Sequence, residues 1–180
     1  MANKAENAIS KEAHPQVKAY VQCYLDSFAE YGPEARDNVV TAMGITGGVQ
    51  QKGENNKYEP YSSNAQYGCG FGKTTVSKGV AMGKSAIGKR SVITSSTPEL
   101  AGQSFKELTE GFAQREKSVL YYSEGTVKIL DKSGEVRGSK DKPLTEKEIA
   151  EAFKEVDVIV SDITALVRAK EAGLYEPNRD

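Results

Sequence analysis

Apolar positions are regular at the two ends of the chain and irregular in the middle. Near the start, Val17, Tyr20, Val21, Tyr24, Leu25 and Phe28 recur every three or four residues. That spacing predicts an amphipathic helix opening at His14-Pro15. Gly32-Pro33 stops it and starts a shorter helix, in which Ala35, Val39, Val40 and Met43 share a face and Gly44 is a C-terminal cap. Residues 14–44 therefore read as a helical hairpin behind a polar arm of residues 1–13.

From Ile45 to Ser96 no period persists, and Gly, Asn, Pro and Ser cluster repeatedly. Three short apolar patches, Thr74–Val76, Val80–Met82 and Ser91–Thr94, are candidate strands. The stretch 45–96 is expected to be a long Gly-rich excursion: a functional loop, an arm or a set of short strands.

Regularity returns at Thr97-Pro98-Glu99, which supplies an N-cap, a first-turn proline and an acid suited to the helix dipole. Ala101, Phe105, Leu108 and Phe112 then form one stripe, extending the helix to about Glu116. Residues 118–122 and 126–130 alternate as strands around Ser123-Glu124-Gly125, read as a three-residue hairpin loop. Asp131-Lys132-Ser133-Gly134 has the form of a type I turn leading to a short third strand, Glu135–Arg137. Beyond a polar linker, Thr145 and Glu148 form a capping box. Ile149, Phe153, Val156, Val160, Ile163 and Val167 follow at alternating steps of four and three, which predicts one long helix ending at Gly173.

These elements add up to an α+β fold of about four helices with a small antiparallel β-meander and a long Gly-rich loop or arm. The expectation is a single domain over residues 1–180, made of the hairpin 14–44, the excursion 45–96 and the scaffold 97–180. A chain of that length buries a core without metal or disulfide help.

Charge sharpens this picture. The net charge of −1 gives no overall pull toward nucleic acid or membrane. Residues 60–98, however, contain five cations and no acid, whereas the segments on either side are net acidic. Those cations, Lys73, Lys78, Lys84, Lys89 and Arg90, are interleaved with glycines at 68, 70, 72, 79, 83 and 88 and preceded by Tyr67 and Phe71. Stacking rings followed by phosphate-neutralising cations is the composition of a nucleic-acid contact. The scattered Val80, Met82 and Ile87 of the same segment suit an arm lying along a neighbouring subunit instead.

Gly68–Thr74 and Gly79–Ser85 both read GxxxGK[ST], one residue short between the glycines of the phosphate-loop pattern. Cys23 and Cys69 lack ligand spacing, and His14, the only histidine, precedes a proline at a helix start. Neither metal nor cofactor is expected. Asp157 and Asp162 read as flanks of the last helix rather than a catalytic pair. The first residues lack an apolar core of the secretory kind, and no run reaches the roughly 18 apolar residues of a membrane span. A cytoplasmic protein, or a virion component, is expected.

The leading functional expectation is a non-enzymatic structural protein that self-associates or packs on partners through the Gly-rich basic arm, as in a virus-like or filamentous particle. Nucleic-acid binding by the same segment is the alternative, and a phosphate- or nucleotide-binding enzyme the second alternative. The shortened spacing predicts no Mg²⁺-dependent ATP or GTP binding at micromolar concentrations. Calorimetric detection of such binding, abolished by Lys73→Ala, would reverse that order.

Overall fold

The computed structural model describes residues 49–52, 57–60, 66, 73–86, 88–113, 116–139 and 141–176. The chain divides into two units, Met1–Ile87 and Gly88–Asp180. In the first, β1 (Val49–Lys52) and β2 (Lys57–Pro60) pair antiparallel, and α1 spans Lys73–Ala86. The helical hairpin expected over 14–44 lies outside the described residues. Within the stretch expected to be irregular, the patches Thr74–Val76 and Val80–Met82 are helical rather than extended, while Ser91–Ser95 is a strand as expected.

The second unit is built on a five-stranded mixed sheet. Its strands are β3 (Ser91–Ser95), β4 (Val119–Ser123), β5 (Thr126–Leu130), β6 (Val136–Arg137) and β7 (Val158–Asp162), in the order β3-β7-β4-β5-β6. The β4-β5-β6 meander is antiparallel as expected, but β7 runs parallel to both β3 and β4. The sheet is therefore mixed, which corrects the expectation of a purely antiparallel meander. Three helices accompany it: α2 (Pro98–Phe112), α3 (Glu146–Glu155) and α4 (Ile163–Glu171).

The largest departure from the sequence reading is the last element. One long helix was expected from Glu146 to Gly173, and the chain instead forms α3, β7 and α4. The four-three spacing continues to Val167, but Val156, Val158, Ile159 and Val160 form a dense β-branched run that fits a pleated surface better than a helix. A parallel strand covered on both faces is apolar at every position, and its pattern does not separate it from a buried helix. All five residues of β7 are buried. Phe153 and Val160 are both buried, as the helix reading required, but Ile163 and Val167 are about half exposed, at 53% and 49%.

Alternation assigns the sheet's two faces. Tyr121 meets Phe105 of α2 with ring centroids 5.4 Å apart, and its hydroxyl donates to the Pro98 carbonyl at 3.2 Å. The stripe Ala101, Phe105, Leu108 and Phe112 is buried as predicted. On the opposite face Leu120, Ile129 and Ile159 pack with Ala152, Phe153 and Val156 at α3 and with Ala169 of α4. Phe153 also meets Tyr122 edge-on at 5.0 Å.

Local signals behave as read. Thr97 caps α2, and the Thr145–Glu148 capping box is complete. Gly125 and Gly134 have φ of 73° and 87°, where a β-branched residue is strained. Ser123 pairs with Thr126, so the hairpin loop is two residues, Glu124-Gly125, not three.

Phe153→Ala removes a ring packed among three elements and should lower unfolding free energy by about 3–5 kcal/mol. A loss under ~1 kcal/mol in urea titration would mean that α3 does not close this face.

Candidate functional site

The cations of α1 do not share one face. With about 100° per helical residue, Lys73 and Lys84 lie on nearly the same side of α1, and Lys78 is about 140° away. Lys73 is exposed, and Lys78, Lys84 and Val80 are half-buried. Met82 is 2% exposed, so it is not available to a neighbouring copy. Lys89 is exposed. Arg90 has a scaffold role: its Nε donates to the Val156 carbonyl at 2.8 Å and its Nη2 to the Phe153 carbonyl at 2.6 Å. Those carbonyls lie at the C-terminal end of α3, where intrahelical donors run out. Tyr67, Phe71 and Ile87 lie outside the described residues, as do Cys23, Cys69 and His14.

The second GxxxGK[ST] run, Gly79 to Ser85, falls wholly inside α1. A helix directs its backbone N–H groups to carbonyls four residues back, so they do not curl round a phosphate. Among the described residues no group of His, Cys, Asp and Glu is arranged to hold a metal ion. None of the described helices is long and apolar enough to cross a membrane.

Two Asp–Ser pairs that the sequence reading did not find hold β7 against β4. Before the strands, the Asp157 carboxylate accepts from the Ser118 N–H at 2.9 Å and from its hydroxyl at 3.0 Å. At their carboxyl ends, the Ser123 hydroxyl donates to Asp162 Oδ2 at 2.8 Å, and Asp162 Oδ1 accepts from the Ala165 N–H at 2.9 Å, capping α4. The signal was present as two equal spacings, Ser118 to Ser123 and Asp157 to Asp162. It is interpretable only once Asp157 and Asp162 are known to bracket a strand.

Asp162 is buried, and burial alone pushes its carboxyl pKa up. The Ala165 N–H, the Ser123 hydroxyl and the N–H groups of Asp162 and Thr164 outweigh that, so the group titrates below the ordinary aspartate range.

Beside this carboxyl end lies an open cleft of about 790 Å³. Its wall residues Tyr122, Val127, Leu144 and Ile149 also pack on the core. Thr126, Lys128 and Ser139 line it as well, and the exposed Arg168–Glu124 pair, at 2.6 Å, stands at its lip. Gly138 makes one wall possible. A Cβ there would collide with the Val127 carbonyl oxygen, so only glycine lets this backbone approach β5 so closely. A second hollow, of about 300 Å³, contains Asp131, Arg137 and Glu148. Within it Arg137 reaches Glu148 at 3.0 Å and Asp131 at 3.7 Å.

The sheet's two edges differ. β6 is two residues long, and its Arg137 forms that charge network. β3 is five residues long and contains neither charge nor proline. Among the described residues no strand pairs with its outer side. Val92 is 40% exposed on the face that α4 covers only in part.

Comparison of the chain with family models, with curated proteins and with solved structures returns no match.

The Asp162 geometry has a pH signature. Because the folded-state pKa is depressed, its stabilisation is complete above the unfolded aspartate value near ~3.9. It declines as pH falls below that value and is gone once pH passes the folded pKa. Asp162→Asn should cost about 1–3 kcal/mol at pH 7 and flatten the acid limb below the unfolded aspartate pKa. Urea midpoints that fall equally steeply in both proteins would assign the acid limb to other groups.

Proposed function

We propose that this chain is an assembly protein, without catalytic activity of its own, that joins a second copy through the outer edge of β3. The supporting observation is the contrast between the two sheet edges. Natural sheets protect their edges by shortness, charge, proline or cover, because unpaired backbone groups are a template for another strand. The β6 edge has two of these protections. The β3 edge, among the described residues, has none.

The sequence of β3, Ser-Val-Ile-Thr-Ser, is close to palindromic about Ile93. Antiparallel pairing with itself would set Ile93 opposite Ile93, Val92 opposite Thr94 and Ser91 opposite Ser95. Like-shaped β-branched residues then face one another on each side of the sheet. The operator is a two-fold axis, the commonest symmetry of soluble homo-oligomers. It would place the exposed Val92 residues of both copies on one face. A dimer formed in this way needs one further contact to grow into a virus-like or filamentous particle. This reading moves the assembly contact from the arm, where Met82 is buried, to the scaffold.

The test is sedimentation or light scattering with the full chain at several concentrations and two salt levels. The wild type should dimerise. The double substitution Val92→Lys and Thr94→Lys, at exposed positions, should raise the dissociation constant at least about tenfold, a difference of about 1.4 kcal/mol. Its circular dichroism should not change. A dimer indifferent to these lysines would overturn the edge contact. A wild-type monomer that binds oligonucleotide with strong salt dependence would replace assembly by nucleic-acid binding, which Lys73 and Lys84 on one side of an acid-free helix would serve.

A further inference from the structure

We propose that α4 supplies a second contact between the two copies: across the two-fold axis it lies antiparallel to α4 of the other copy, with Ile163 facing Lys170 and Leu166 facing Val167. The inference rests on the β3 edge pairing proposed above and adds a helix contact to it.

The need for it comes from size. An edge of five residues is about 17 Å long. Backbone pairing along it covers far less than the roughly 1,200 Å² at the lower end of specific interfaces. A stable dimer has to recruit surface from the helices that flank the strand.

That surface is apolar. Among the described residues the large apolar side chains left exposed are Val92, Leu100, Val136, Ile163 and Val167. Val136 is on β6, at the far edge of the sheet. The other four border β3. Val92 is on β3 itself and pairs with Ile159, on the face that carries α4. On α4, Ala165 and Ala169 are buried and Arg168 reaches Glu124 of the β4-β5 hairpin. At about 100° per residue, Ile163 and Lys170 fall on the flank away from Arg168, and Val167 adjoins Ile163. That flank is the β3 side, because β3 and the hairpin lie on opposite sides of β7. On the other face of the sheet, α2 turns Gly102 and Phe105 toward Tyr121 of β4. Leu100 is about 160° round that helix from Gly102, again on the β3 side.

Register decides how the helices meet. Ser95 lies beside Asp162, the N-cap of α4. Ile93, on the two-fold axis, is about 6.6 Å back from that end. Ala169 belongs to one cluster with Ile159, so α4 runs back along the strands. Rising about 1.5 Å per residue, it reaches the level of the axis at Leu166 and Val167. Symmetry about that level sets Leu166 against Val167 and Ile163 against Lys170. These four residues recur at i, i+3, i+4 and i+7, the spacing of one packing stripe. The methylene stem of Lys170 covers Ile163 of the other copy while its amine stays in water. Val92 of both copies floors the groove between the helices.

The test is the dissociation constant of the full-length chain, measured by sedimentation. Ile163→Lys sets a second lysine against Lys170 at each end of the helix pair and should weaken the dimer at least about tenfold. Adding Lys170→Glu should return it to within about threefold of wild type, because the new pair forms between copies. Within one chain the two positions are seven residues apart, beyond the i, i+4 reach of helical pairs. Both positions are exposed, so circular dichroism should not change. In a wild-type dimer of one isotope-labelled and one unlabelled chain, methyl contacts between copies should appear at Leu166 and Val167; their absence would overturn the helix contact. A monomeric wild type, or a dimer indifferent to Val92→Lys, Thr94→Lys, removes the edge pairing and this contact with it. A dimer that those lysines disperse but Ile163→Lys does not, or that Lys170→Glu fails to rescue, leaves the edge pairing standing and overturns the helix contact alone.

Discussion

The second unit depends on the insertion of β7 between β3 and β4. β7 is adjacent in sequence to neither neighbour, so β3 and β7 are paired only across long connections, whereas β4 already pairs with β5 through a two-residue hairpin. Such long-range pairing costs loop entropy before contacts return it. Here the return is large, since Val158, Ile159 and Val160 are buried between helices on opposite faces. The Asp157–Ser118 and Asp162–Ser123 hydrogen bonds then fix the strand at both ends. A one-residue slip of β7 against β4 would separate both carboxylates from their hydroxyls and turn each apolar side chain to the wrong face.

The same insertion positions the functional surfaces. It places β3 at the outside of the sheet, where its uncharged edge is open among the described residues. It also aligns the carboxyl ends of β4 and β7, so that α4 starts at Asp162 beside the hairpin and Arg168 reaches Glu124 at the cleft's lip. Arg90 belongs to this framework. By donating to carbonyls at the end of α3, it ties the residue before β3 to the helix that precedes β7. A cation that stood out in the sequence as a phosphate ligand thus has a structural reason to be there.

Much of the fold was legible because it rests on local chemistry. The caps at Thr97 and Thr145, the stripe Ala101-Phe105-Leu108-Phe112, the turn at Asp131 and the positive φ of Gly125 and Gly134 each follow from a few adjacent residues. The candidate cleft was not legible. Its lining comes from β4, β5, the segment around Gly138, α3 and α4, and nothing in sequence spacing announces that Lys128 and Ile149 share one concavity.

By itself, then, the sequence determined an α+β chain with its helix starts, hairpin and core face of α2, because propensity, capping and amphipathic period act over a few residues. Only the tertiary structure decided that Val156 to Val160 leaves a helix to become a central strand. The apolar run is compatible with either state, and burial on both faces, available only beside β3 and β4, selects the strand. Tertiary structure likewise decided that Gly79 and Gly83 sit inside a helix rather than a loop, and that Met82 is buried rather than offered to a neighbour. Local propensity disfavours glycine there by about 1 kcal/mol per residue, an amount that packing elsewhere on the helix overrides.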